Sequence, residues 1–251
     1  MRDFTFEMYA FICDNLALSD YKVITLLEYL KDKSEFDEKD STLILRHDVD
    51  SRPDKALLFA RIEYERGIKS TYYFRYKETF DQKVISSIAE MGHEIGYHYE
   101  TLAKCNGNFE KAIELFNQEL KEFRKGTNLD IKTVCAHGSS PVKWGGKKYD
   151  VNYDIFKAHQ DLLVKNELLG EAYLNVNFEK FEEIHDSQMK WHSIGSSYEL
   201  IEKLKNTPKK PIYLLIHPGS WSKGFFGYYS IVLSYAILRR GAKILKLFNF
   251  M

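Results

Sequence analysis

The feature that most limits the folds open to this chain is LILRHDVDS at residues 43–51, an apolar run that ends on His47, Asp48 and Asp50 and is cut off by Ser51 and Pro53. Its Leu and Ile residues, bounded by turn formers, read as a strand covered on both faces, which is the habit of parallel sheets. Such sheets present ligand sites at the carboxyl ends of their strands. The two aspartates therefore stand where chemistry is usually done.

Strand and helix patterns alternate through most of the remaining sequence, which favours an α/β layer or barrel over a helical bundle. A helix over Asp54 to Arg66, opened near Ser51 or Asp54 and closed by Gly67, is followed by a strand in IKSTYYFR at 68–75 and a helix through Glu90. GHEIGYHYE at 92–100 carries a third strand, and Asn108 opens a long helix to about Lys125 with Gly126 at its end. IKTVCAHG at 131–138, GEAYLNV at 170–176, FEEIHDS at 181–187 and PIYLLIHPG at 211–219 give the later strands, the last preceded by a helix around Ser197 to Lys205. Ahead of the first strand, a helix is expected around Tyr21 to Lys31. No repeat or low-complexity tract divides the chain. One domain over residues 1–251 is expected: a helical extension at 1–40, the motif-bearing barrel at 41–220, and a C-terminal helix and final segment at 221–251.

The 36 acidic and 36 basic residues cancel, so nothing in the charge calls for nucleic acid or an anionic membrane. A small neutral or polar substrate fits better. Cys13, Cys105 and Cys135 are odd in number and lack CxxC spacing, which argues against a disulfide framework and a four-thiolate zinc site. The opening MRDFTFEMYAFICDN mixes acids with apolar residues and does not read as a signal peptide. YYSIVLSYAILRR at 228–240 is shorter than the roughly 20 residues that span a bilayer and reads as a buried helix. A cytoplasmic protein with reduced thiols is expected.

Several strand patterns end in the same residue types: Asp48 and Asp50, then His98, His137 and His217, with His185 and Asp186 on another. Parallel strands bring all of these ends to one rim. One carboxylate and two imidazoles hold a divalent ion and leave a position open for water, and Asp50, His98 and His137 can supply that set. Asp48, Asp186 and His217 are then available to move protons or to orient groups that do. His47 should point to the opposite side of its strand and reads as structural, as do His93 and Glu94. His159 and His192 are given no role, and Arg46 and Arg75 are placed to pair with site carboxylates, with surface or barrel-end salt bridges as the first reading. The loop at 139–154 either covers a pocket or is a surface connection.

These residues resemble the motifs of the polysaccharide deacetylase superfamily, whose members are metal-dependent carbohydrate esterases with a distorted (β/α)7-type barrel. RHDVD is similar to the first motif, in which one aspartate is general base and the other binds metal. GHEIGYH at 92–98 is close to the family's GHEIGNH and implies His98 as a ligand. LLIHP at 214–218 resembles the last motif and implies His217 as general acid. HDSQMKW at 185–191 stands where the family has its Asp/Trp motif, implying that Asp186 orients His217 and that Trp191 lines the acyl pocket. Trp144 and Trp221 are further candidates for substrate contact. The family's second histidine falls at Leu102, and its fourth-strand arginine motif is replaced by CAHGSSP. Leucine cannot bind metal. His137 and Glu100 are both placed to take the vacant position, and neutral imidazole preserves the charge of the family's site. Val49 separates the two aspartates, which alternation puts on one face.

The expected function is a metal-dependent hydrolase, a deacetylase of an N-acetylated sugar or glycan precursor, with zinc as the first choice of ion and nickel, cobalt or iron compatible with the same ligands. The alternatives are a catalytically inactive saccharide-binding or assembly protein on the same fold and a hydrolase of a non-sugar amide.

Overall fold

A computed structural model of the chain describes residues 2–37, 41–139, 151–206, 210–224, 227–231 and 233–235. The strands are β1 (Lys22–Ile24), β2 (Thr42–Val49), β3 (Thr71–Phe74), β4 (Glu94–Tyr99), β5 (Thr133–Ala136), β6 (Gly170–Glu171), β7 (Glu182–Ser187), β8 (Lys190–His192) and β9 (Ile212–Ile216). Helices α1 (Phe6–Leu18), α2 (Leu26–Lys31), α3 (Lys33–Asp37), α4 (Pro53–Tyr64), α5 (Gln82–Glu90), α6 (Thr101–Lys104), α7 (Phe109–Thr127), α8 (Asp154–Ala158), α9 (Asp161–Lys165) and α10 (Ser197–Lys205) are threaded between them. The fold is mixed α/β, with strand order β6-β5-β4-β3-β2-β9-β7-β8 and β1 beside the start of β2. Every pairing is parallel except β7 with β8.

Side-chain reach shows that the sheet is curled. β5 lies three strands from β2, which in a flat sheet is about 14 Å. Yet Arg46 on β2 touches Cys135 on β5 and, in the other direction, Tyr213 on β9. The expected barrel is thus present as a curled sheet that is not closed by hydrogen bonds: no described ladder joins its two edges. Alternation sorts the residues. Leu43, Leu45 and Val49 face outward into the main core, with Phe59 of α4 and Met8, Tyr9 and Ile12 of α1. Ile44 faces inward with Tyr73, Cys135 and Tyr213.

Local signals account for most of the helix ends. Pro53 starts α4, where its missing N–H costs nothing. Gly67, at φ 68°, lets Ile68 N–H bond back to the Glu63 carbonyl. Asn108 caps α7 by accepting from Lys111 N–H. That helix runs through Gly126, however, and ends at Asn128, whose left-handed backbone closes it in place of the expected glycine. The expected helix around Tyr21 to Lys31 is β1 followed by α2, divided at Thr25, whose side chain and Glu28 form a capping box. The strand expected at 170–176 shrinks to two residues, because Glu171 turns its carboxylate back onto the Tyr173 and Leu174 N–H groups.

Residues 228–231 and 233–235 are helical, but Tyr229 and Leu233 are exposed, so this described part is not the expected buried helix. Among the described residues no helix is long and apolar enough to cross a membrane. All three cysteines are free.

Candidate metal centre

Four parallel strands, β5 and β4 on one side of β3 and β2 and β9 on the other, bring inward residues to one tier at the carboxyl rim. Asp50 follows β2, His98 lies on β4, His137 follows β5 and His217 follows β9. Asp50 is the hub. Its Oδ1 lies 3.3 Å from His98 Nε2 and 3.3 Å from His137 Nε2, while its Oδ2 is 3.9 Å from His217 Nε2.

Each ring is held by its other nitrogen. His98 Nδ1 lies 3.0 Å from the Cys135 carbonyl, which can only accept, so Nδ1 carries the proton and Nε2 turns a lone pair toward Asp50. His137 Nδ1 donates to Glu100 Oε2 at 3.2 Å, and His217 Nδ1 to Asp186 Oδ1 at 2.9 Å. An imidazole anchored through one nitrogen to a carbonyl or carboxylate presents the other in a fixed direction, as metal-ligating histidines do.

The supports are buried. Glu100 is ion-paired with Arg75, whose guanidinium also reaches the Asp50 carbonyl. Asn152 donates to the His137 carbonyl at 2.7 Å and accepts from Ala103 N–H. Asp186 takes three bonds, from His217 N–H, His217 Nδ1 and Trp221 Nε1. Lys55 donates to the carbonyls of Gly219 and Trp221 and so ties the start of α4 to the turn after His217. Burial depresses the Lys55 ammonium to about 8.

The charges follow from this geometry. Burial disfavours ionised Asp50, but the His137 imidazolium outweighs it and holds the carboxyl well below its usual range. Burial pulls His137 down, whereas Asp50 and Glu100 carry it up to about 9. Burial likewise opposes His217, which Asp186 raises to about 9. Asp48 lies one layer deeper, with both oxygens bonded by Arg46, at 2.8 Å from Nε and 2.6 Å from Nη2. Its carboxyl is lowered by that guanidinium against the opposing effect of burial.

The donor set suits a divalent ion. Asp50, His98 and His137 each offer one atom within 4.8 Å of the others. Asp50 Oδ1 is moreover a buried oxygen without a hydrogen bond, the kind of orphan that an ion satisfies.

The expected residues divide by place. Asp48, Asp50, His98, His137, Asp186 and His217 come together. Glu100 does not reach in as a ligand, because it is spent on His137 and Arg75. His185 stands apart: it stacks on His192 and lines a cavity of about 140 Å³ with Tyr173, Glu183, Ile184, Tyr213 and Leu215. Trp191 and Trp221 do not line an opening. Both are buried, each packs against Phe4, and their indole N–H groups are bonded to Ser197 and Asp186. Trp144 lies outside the described residues.

Of the two readings for Arg46 the structure has the pairing with a site carboxylate: the residue is fully buried and gives its guanidinium to Asp48 in a chain without the arginine motif. Its position two residues before Asp48, on the same strand face, was the available signal. Arg75, just after β3, pairs with Glu100. His47 does face outward, as expected, onto Glu63 and Tyr9.

No protein-family model matches the chain, and no curated protein matches it. Among solved structures it is similar to a Streptococcus pyogenes deacetylase in complex with acetate, at 8% identity and TM-score 0.49, covering 85% of this chain and 84% of that one. It is also similar to a family 4 carbohydrate esterase from Bacillus anthracis, at 14% identity and TM-score 0.42 over 80% of this chain and 76% of that one. A family 4 pseudoenzyme mutant with restored activity is similar at 10% identity and TM-score 0.41; the match covers 80% of this chain but only 63% of that protein.

Proposed function

We propose that this chain is a metal-dependent hydrolase that removes an acetyl group from the nitrogen of an acetylated sugar or glycan precursor. The observation that carries the reading is the convergence of His98, His137 and His217 Nε2 on the Asp50 carboxylate, each ring fixed through Nδ1. The resemblance of RHDVD, GHEIGYH and LLIHP to deacetylase motifs supports the same chemistry. Zinc is the first choice of ion for two imidazoles and one carboxylate.

Asp50, His98 and His137 would hold the ion, which supplies a Lewis acid for the substrate carbonyl and acidifies a water. Asp48, kept ionised by Arg46, would be the base that accepts a proton from water at the site. Asp186 keeps His217 protonated near neutral pH, so Nε2 donates to the departing amine. Glu100 and Arg75 hold the His137 ring against rotation. Lys55 fixes the turn that carries His217.

The test is the metal content of protein purified without added metal or a histidine tag, followed by acetate release from acetylated sugars. Bound metal that is lost in Asp50→Ala, together with acetate release that needs His217, is the expected result. Asp50→Ala retaining both metal and hydrolysis would falsify the assignment.

A further inference from the structure

A second set of ligand atoms lies one layer below the first. Asp48, His98 and Cys135 each bring one atom within 4.8 Å of the others, and oxygen, nitrogen and sulfur together suit a borderline-soft divalent ion. The two sets overlap. His98 Nε2 is 3.3 Å from Asp50 Oδ1 and 3.5 Å from Asp48 Oδ2. With its Nδ1 proton committed to the Cys135 carbonyl, this ring has one lone pair to give, so the two sets exclude each other.

The lower set already holds a cation. Arg46 Nη2 lies 2.6 Å from Asp48 Oδ2 and 2.6 Å from Cys135 Sγ. Tyr173 OH accepts from the same nitrogen at 3.0 Å, and Tyr213 OH from Nη1 at 3.0 Å. The guanidinium is fully buried and offers only donors, so the surrounding oxygens and sulfur are spent on it.

We infer that Arg46 decides where a metal ion can bind, its guanidinium filling the Asp48–His98–Cys135 set and confining a divalent ion to Asp50, His98 and His137. The inference rests on the metal reading above. A guanidinium cannot leave by losing a proton, unlike the ammonium of a buried lysine. An ion in the lower set would also stand against that fixed positive charge in a dry site, where like charges repel strongly. Removing the guanidinium hands Asp48 and Cys135 to the ion. The thiol then releases its proton to solvent, and the thiolate sulfur forms the new bond to metal.

Cobalt(II) titrated into the metal-free full chain and followed by visible and near-ultraviolet absorption tests this directly. The wild type should bind cobalt with d–d bands and no thiolate-to-cobalt charge transfer, and Cys135→Ser should leave that spectrum and the affinity unchanged. Arg46→Met should gain the charge-transfer band, Arg46→Met combined with Cys135→Ser should lose it, and Arg46→Lys, which keeps a cation, should lack it. If Arg46→Met fails to fold, Cys135→Ser decides: a tenfold or greater loss of cobalt affinity, or a wild-type thiolate band that this substitution abolishes, overturns the inference, and an unchanged spectrum supports it. A wild type that binds no cobalt refutes the metal reading itself. A wild type that binds cobalt beside a folded Arg46→Met with no thiolate band refutes only the role of Arg46.

Discussion

Asp186→Asn should destabilise the metal-free protein much more in mild acid than in mild alkali. Asp186 is fully buried and takes bonds from His217 N–H at 2.7 Å, His217 Nδ1 at 2.9 Å and Trp221 Nε1 at 2.8 Å. An amide can keep the His217 pair on its oxygen, but it turns an NH2 toward the indole N–H. A buried donor left facing a donor costs about 1–3 kcal/mol. The lost charge adds to this. Burial pulls His217 down, and the carboxylates around it, Asp186 above all with Asp50 and Asp48 behind it, override this and carry the imidazole from 6.5 to about 9. At 1.36 kcal/mol per unit, that is roughly 3 kcal/mol. Because the folded value is raised, this contribution is complete below about pH 6.5, where the imidazolium persists folded and unfolded, and is lost as pH climbs through about 9. Urea denaturation with a chelator present reads both conditions. The cost should be about 4–6 kcal/mol near pH 6 and about 1–3 kcal/mol near pH 10. An equal cost at the two pH values refutes the charge argument and leaves only hydrogen-bond geometry.

Glu100→Gln removes the anion behind His137 and should weaken divalent-ion affinity about 10–100-fold by titration calorimetry, and an unchanged affinity would show that Glu100 does not orient the ring. Gly96→Ala would drive a methyl into the Tyr73 ring, whose hydroxyl is tied to Thr133, so the melting midpoint should fall by the equivalent of about 1–3 kcal/mol; an unshifted midpoint means that the ring can yield. Glu63→Gln breaks the buried acceptor shared by Tyr9, His47, Ser70 and Tyr72 and should cost about 3–5 kcal/mol in denaturant, while ion affinity stays unchanged. A parallel loss of affinity would mean that the outer face of β2 also positions the site.

The parts of the fold that carry chemistry were legible because they obey simple periodicities. β2 reads as an apolar run, and the rim follows from several such strands ending in Asp or His. What escaped the sequence was set by tertiary context. α1 buries Met8, Ile12 and Leu16 with Tyr9 and Cys13, a helical spacing overlooked among flanking acids. β1 is only three residues long and exists because it pairs with the start of the β2 edge that β3 takes over from Arg46. The vacant second-histidine position left His137 and Glu100 open, since sequence spacing cannot say which of two rim residues turns inward. Glu100 is drawn away by Arg75, a partner from another strand. The motif position of Trp191 and the place of Trp221 after the His217 turn point to a pocket wall, yet burial against Phe4 makes both indoles part of the core.

The position of β2 in the sheet also has a cost during synthesis. One edge of β2 is covered by β1 and β3, which follow or precede it closely, but the other waits for β9, where Leu43–His47 pair with Ile212–Ile216. At ribosomal speed that wait is on the order of 10–30 s, with Leu43 and Leu45 beside an unpaired strand edge open to the wrong partner. Asp50, His98 and His137 are all made well before β9. On the proposed metal reading, an ion captured by the nascent chain would staple β2, β4 and β5 together while that edge is still exposed.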